Sequence, residues 1–98
     1  MIVRVNHVRF KKGQADKARA VAEKELVPLM KGIKGFVRWY ALQASDNPDE
    51  GLSIGVWETK EDLERARGDS RYQAVVGKIQ GYYAEQPSQR LFDVKSQG

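Results

Sequence analysis

The chain has 98 residues, 41% of them apolar, and its 17 Lys and Arg stand against 13 Asp and Glu for a formal charge of +4. That is the length of one domain with enough apolar content for a core, which excludes a large multidomain enzyme and a chain disordered throughout. The absence of cysteine removes disulfides, thiolate nucleophiles and zinc–thiolate sites, and a single histidine rules out a multi-His metal centre within one chain. Asp46, Asp49 and Glu50 sit in a turn-like stretch without the spacing of a calcium loop, so no metal is expected. No apolar run approaches the roughly 18 residues needed to span a bilayer, and the opening MIVRVNHVRF lacks the features of a signal peptide. The expectation is a cytoplasmic protein with no membrane partner. A domain this small buries only about 60–65% of the surface its unfolded chain exposes, so pairing with a second copy is expected from length alone.

Residues 2–10 are rich in Ile, Val and Phe broken by single polar residues and end at Lys11-Lys12-Gly13, which reads as a strand and a turn. From 14 to about 31 the pattern becomes helical. Ala15, Ala18, Ala22, Leu26 and Leu29 recur at three- and four-residue steps with charges opposite, the stripe of a helix lying on a sheet, and Pro28 should kink or end it. Gly32 and Gly35 punctuate the exit. Phe36 to Leu42 is a second strand, the polar stretch from Ser45 to Gly51 reads as a hairpin turn, and Leu52 to Trp57 is a third strand. Along it Leu52, Ile54 and Val56 alternate with Ser53, Gly55 and Trp57, so its two faces are filled differently.

Thr59 and Asp62 have the spacing of a capping box that starts a helix at Lys60, and Gly68 should break that helix. Ser70 and Gln73 form a second candidate box, leading a further helix through Ala74, Val75, Val76 and Ile79 toward Gly81 and Tyr82-Tyr83. Pro87 ends the helical stretch. Leu91, Phe92 and Val94 mark a last short strand, and the domain is placed at residues 1–95 with Ser96-Gln97-Gly98 as a frayed tail.

Strand, helix, strand, strand, helix, strand, with right-handed crossovers, gives an α+β ferredoxin-like fold: a four-stranded antiparallel sheet with helices on one face. The first three strands are apolar at both parities (Ile2 with Val3, Phe36 with Val37, Val56 with Trp57), so the helix-free face also needs cover. Two sheets packed face to face provide it, through Leu52, Ile54 and Val56. The basic balance does not single out nucleic acid. Lys17, Arg19 and Lys24 alternate with Asp16, Glu23 and Glu25, and Arg65, Arg67 and Arg71 share a segment with Glu61, Asp62, Glu64 and Asp69, the mixture of solvated helix faces.

Gly35-Phe36, the hairpin Asp46-Asn47-Pro48, the strand end Val56-Trp57-Glu58-Thr59 and the helix start Ser70-Arg71-Tyr72-Gln73-Ala74, in that order along nearly the whole chain, resemble the antibiotic biosynthesis monooxygenase family. The resemblance implies a dimeric α+β barrel. It also implies a cavity between sheet and helices, used in that family by cofactor-independent oxygenases of anthrones and quinols, by haem-degrading enzymes and by members without known activity. Oxygenation without a cofactor starts from a carbanion or phenolate that passes an electron to dioxygen, so the protein must hold the ring and stabilise the anion. The resemblance places Asn6 on the first strand and Trp57 on the third at cavity positions, where Asn6 would hydrogen-bond the oxyanion and Trp57 would stack on the ring. Ser53 and Gly55 share the parity of Trp57 and leave a hollow, with Ser53 able to bond a ligand. Tyr72 stands first among Tyr72, Tyr82 and Tyr83 to reach a ligand. Tyr40 is a further binding candidate, although Trp39 and Tyr40 oppose each other and only one faces the cavity. His7, opposite in parity to Asn6, belongs to the other face.

The departures narrow the chemistry. In the haem-degrading branch a Trp and a proximal His fall near Ala66 and Val76 of this chain, so the axial ligand is missing. In the anthrone branch an Asn precedes the strand-end Trp by four, where this chain has Ser53. The expected function is a cofactor-independent monooxygenase of a small aromatic, phenolic or quinol-type substrate, with molecular oxygen as co-substrate and no cofactor. A non-enzymatic binding or sensing dimer is the alternative, and an isomerase or cyclase the third.

Overall fold

A computed structural model describes all 98 residues as β1 (Ile2–Arg9), α1 (Ala15–Val21), a π-helical turn (Ala22–Leu26), α2 (Val27–Lys31), β2 (Phe36–Ala44), β3 (Asn47–Trp57), α3 (Lys60–Arg67), α4 (Ser70–Gln80) and β4 (Ser88–Asp93). The strands form one antiparallel sheet in the order β2-β3-β1-β4, with the helices against one face, the α+β ferredoxin-like arrangement. The core lies between sheet and helices and gathers Ile2, Trp57, Leu63, Ala66, Tyr72 and Ile79 with a helical stripe of Ala18, Ala22, Leu26 and Met30.

That stripe runs in strict four-residue steps. An α-helix at 3.6 residues per turn carries such a row round its axis by about 40° per step. The wider π turn between Ala22 and Leu26 takes up part of this drift and keeps Met30 under the same face as Ala18. It also lies just before Pro28, whose ring would crowd the carbonyl four residues back in a regular α-helix. Pro28 therefore neither ends the helix nor breaks the stripe, and the turn at Gly32 closes it instead.

The hairpin between β2 and β3 is tighter than the polar composition suggests. Only Ser45 and Asp46 form the turn, and Asn47 to Gly51 are already strand, with Ala44 paired to Asn47 through a bulge at Gln43/Ala44. The pairing of β1 to β3 ends at Arg9 and Glu50, so Pro48, which has no N–H to donate, lies where no β1 partner requires one. A second irregularity between Phe36 and Arg38 in β2 inserts one residue and reverses the strand's parity. Phe36 faces the helices, with its ring 5.4 Å from that of Trp57 at an interplanar angle of 68°, and beyond the bulge it is Trp39, not Tyr40, that continues on that side.

Thr59 caps α3 as its spacing from Asp62 predicts, although the Asp62 carboxylate returns to the Thr59 hydroxyl and not to its backbone N–H. Its hydroxyl oxygen accepts from the Asp62 amide at 3.1 Å and donates to the Asp62 carboxylate at 2.9 Å, and α3 runs from Lys60 to its end before Gly68. Asp62 is buried and also accepts from Arg65 at 2.8 Å, which with Thr59 holds its carboxyl below the usual range. A β-carbon at Gly35, where φ is +90°, would collide with that carboxylate, so the entry to β2 and the start of α3 fit only around a glycine. The cap of α4 is Asp69, not Ser70: its carboxylate accepts from the amides of Arg71 at 2.8 Å and Tyr72 at 3.4 Å. Aspartate one residue earlier reaches the same orphan donors and carries a charge suited to a helix N-terminus.

Candidate functional site

Strand alternation sends Arg4, Asn6 and Val8 of β1 toward the helices, and the register sets Gly55 opposite Arg4 and Ser53 opposite Asn6. On the other side of β3, Trp39 pairs with Gly55 and Ala41 with Ser53. The small residues Ser53, Gly55 and Ala41 in the middle of this floor leave a cavity of about 100 Å³, roofed by the α1–π–α2 helix and by α4. One ordered water needs roughly 10–15 Å³, so the space holds several waters or a ring that displaces them. Of its 24 lining residues 16 are hydrophobic, which makes it a site for an apolar body held by a few polar groups.

Two of those polar groups, on Asn6 and Trp57, are unpaired within the chain. The Asn6 amide makes no hydrogen bond within the chain, although it lines the cavity and is only partly exposed. Trp57 is 1% exposed, and its indole nitrogen lies over Gly55, where a β-carbon would come within 3.3 Å. That nitrogen too has no acceptor within the chain, so the glycine both admits the indole and leaves its N–H free. Ser53 is engaged: Trp39 donates to its hydroxyl oxygen at 3.2 Å, leaving the Ser53 proton to donate onward.

Tyr72, at 6% exposure on α4, accepts from the Arg4 guanidinium. Tyr83 adds a second phenol, its ring 5.6 Å from Phe10 and its hydroxyl pushed up from the usual range by burial.

Asn6, Ser53, Gly55, Trp57 and Tyr72 thus surround one cavity. Tyr40 does not: it is 46% exposed on the helix-free face, because the β2 bulge hands the inward position to Trp39. Arg4 and Trp39 complete the polar wall. Sequence reading passes over Arg4, yet its parity with Asn6 was a sufficient signal. His7 lies on the other side, its Nε2 2.7 Å from a Glu50 carboxylate oxygen, and this bond holds the Glu50 carboxyl below the usual range. Ile54 and Val56 lie clear of the cavity, whereas Leu52, beside the Gln43/Ala44 bulge, also borders it. Val76 is a cavity wall residue. No three His, Asp or Glu side chains are gathered anywhere, and no helix is long and apolar enough to cross a membrane.

Solved structures share this architecture. SnoaB of Streptomyces nogalater, described as a cofactor-independent oxygenase, superposes with a TM-score of 0.85 at 18% identity over 98% of this chain and 94% of its own. A Nitrosomonas europaea protein named provisionally as an antibiotic biosynthesis monooxygenase gives 0.85 at 14% identity over 98% and 100%. A conserved Methanosarcina mazei protein gives 0.86 at 12% over 96% and 92%. At these identities the likeness speaks for the fold alone. No curated protein sequence matches the chain. The model of one family, antibiotic biosynthesis monooxygenase, matches residues 1–78, from β1 through most of α4 and so across the cavity-lining part of the sheet, and the chain belongs to that family.

Proposed function

We propose that the protein is a cofactor-independent monooxygenase whose cavity takes a small aromatic substrate of phenolic or quinol type. The observation that carries this reading is the pair of unengaged donors, the Asn6 amide and the Trp57 indole N–H, on the wall of an otherwise apolar cavity. Burying such groups without partners costs free energy, and a developing oxyanion on a bound ring repays it. Asn6 holds that oxyanion, Trp57 packs on the ring, and Tyr72 and Ser53 complete the polar contacts. The bound anion transfers an electron to dioxygen and the radical pair recombines at carbon. For an anthrone, the ring methylene loses both hydrogens and gains one oxygen atom as a carbonyl, while the second oxygen leaves as water. The apolar walls exclude solvent from the anion and so favour its reaction with dioxygen.

The working unit in this reading is a dimer built on the helix-free sheet face, where Tyr40, Leu42 and Phe92 are 46%, 47% and 42% exposed. One observation favours the alternative of a non-enzymatic binding dimer: Ser53, at the position four before Trp57, is already tied to Trp39. Dissolved-oxygen uptake separates the two. Purified protein is supplied with dihydroxyanthrones, quinols and catechols without added cofactor, beside Asn6→Ala. Uptake above background that falls by about 100-fold or more in Asn6→Ala, at an unchanged melting temperature, supports the oxygenase. Equal uptake by the variant rejects the role given to Asn6, and ligand-raised melting temperatures with no uptake favour the binding module.

A further inference from the structure

Three charged side chains border the cavity, and two are neutralised inside the chain. Arg19 pairs with Asp16, and Glu50 is held by His7 at 2.7 Å and by Arg9 at 3.7 Å. Arg4 is the exception. No carboxylate lies within ion-pair reach of it, and its one hydrogen bond runs to the hydroxyl of Tyr72. Its Nε is fully buried and has no partner at all. Because the Tyr72 oxygen accepts from Arg4, the Tyr72 proton is left to donate, and no acceptor within the chain receives it. Two donors, one of them cationic, therefore share a wall on which the protein supplies no acceptor. A partly buried cation without a counter-charge, one of its donors enclosed and unpaired, costs a small domain free energy, and it invites an anion from outside.

We propose that Arg4, together with Tyr72, is the anchor for an ionised oxygen carried by the ring ligand, a carboxylate or a phenolate, and that the cavity selects anionic over neutral aromatic molecules. This rests on the reading that the cavity takes a ring, and adds the charge of that ring's substituent. The guanidinium suits the task because its planar fork leaves the second Nη, which bonds nothing within the chain, to meet an anion while the first stays on Tyr72, whose ring centroid is 5.9 Å from the Arg4 Cζ. The ring then lies over Ser53 and Gly55, and its ionised oxygen meets the Arg4 side of the floor.

Titration calorimetry at neutral pH with two matched pairs tests this: 2-naphthoate against its methyl ester, and 4-nitrophenolate against 4-nitroanisole. The intact protein is expected to bind the ionised member of at least one pair about tenfold or more tightly than its neutral partner. The pair that shows the preference tells carboxylate from phenolate. In Arg4→Met the ratio should fall to near one while the neutral compound binds as before, which also shows that the cavity is still folded. Arg4→Lys, which keeps the charge and loses the fork, should retain part of the preference. A ratio near one in the intact protein, or a preference that survives Arg4→Met, overturns the assignment of Arg4 and leaves the ring-binding cavity standing. Failure of all four compounds to bind the intact protein overturns the cavity reading and this inference with it.

Discussion

The two faces of the sheet lack opposite things. On the helix-covered face the apolar residues are satisfied, with Trp57 at 1% and Leu63 at 0% exposure, while polar groups such as the Arg4 Nε and the Asn6 amide stand without partners. On the helix-free face His7 and Arg9 are paired: His7 bonds Glu50 at 2.7 Å, and Arg9 reaches Glu85 at 3.4 Å. There it is the apolar residues that lack cover, Tyr40, Leu42 and Phe92 being more than two-fifths exposed. In the proposed reading the first face receives a polar ligand atom and the second an apolar surface. Both needs arise from one pattern, strands apolar at both parities with polar residues that find partners on the outer row and lack them on the inner one, and a domain of this size has helices enough to cover only one side.

A charge in the middle of the uncovered face attacks the comparison hardest. Ile54 lies at the centre of β3, between its partners Val5 and Tyr40. In the proposed dimer Ile54→Asp would bury an unpaired carboxylate between two sheets, at a cost of about 3–5 kcal/mol, and light scattering after size exclusion should show monomer or aggregate for the variant and a dimer for the parent protein. A soluble, fully dimeric Ile54→Asp protein would show that this face is not the interface. Truncation on the covered side should act differently. Leu63 is wholly enclosed, and Leu63→Ala should cost about 2–5 kcal/mol and lower the melting temperature by about 10 °C or more without changing the oligomeric state. A change of state in Leu63→Ala would mean that the two faces are not energetically separate.

The periodicities that decide the fold were legible in the sequence: the period-two runs of β1 and β3, the helical stripe from Ala18 to Leu26 and the Thr59–Asp62 box all correspond to elements. What escaped were places where one residue changes the count. The bulge after Phe36 reverses parity, so Trp39 and Tyr40 are indistinguishable in the sequence and only the register assigns Trp39 inward. The composition of residues 45–51 suggests a seven-residue turn because Pro48 and Asp49 are turn-like, yet strand pairing overrides composition where no partner needs the missing N–H. Arg4 escaped for a different reason. Counted with the other basic residues it reads as part of a solvated surface, and only its row, shared with Asn6, separates it from them. Chemistry at this site is written in parity, which composition averages away.

The smallest expected effect concerns how Tyr72 is held on the covered side. Asp69 caps α4 three residues before Tyr72, and Arg71 donates to its second carboxylate oxygen at 2.7 Å. These bonds, that to Arg71 foremost, lower the Asp69 carboxyl from 3.8 to about 2. A carboxyl whose folded value is depressed adds stability that is fully present above its unfolded value and is lost as pH falls toward the folded one. The Asp69 contribution should therefore be intact at neutral pH and fade between about pH 4 and pH 2, together with those of Glu50 and Asp62, which are lowered as well. Asp69→Asn keeps a capping oxygen and removes the charge, so it isolates this one share. Its melting temperature should lie a few degrees below the parent's at neutral pH, and the two curves should converge as pH falls to about 2. An offset that stays constant across that range would assign the loss to the shape of the amide and would leave the Asp69 charge with no part in holding Tyr72 over the cavity.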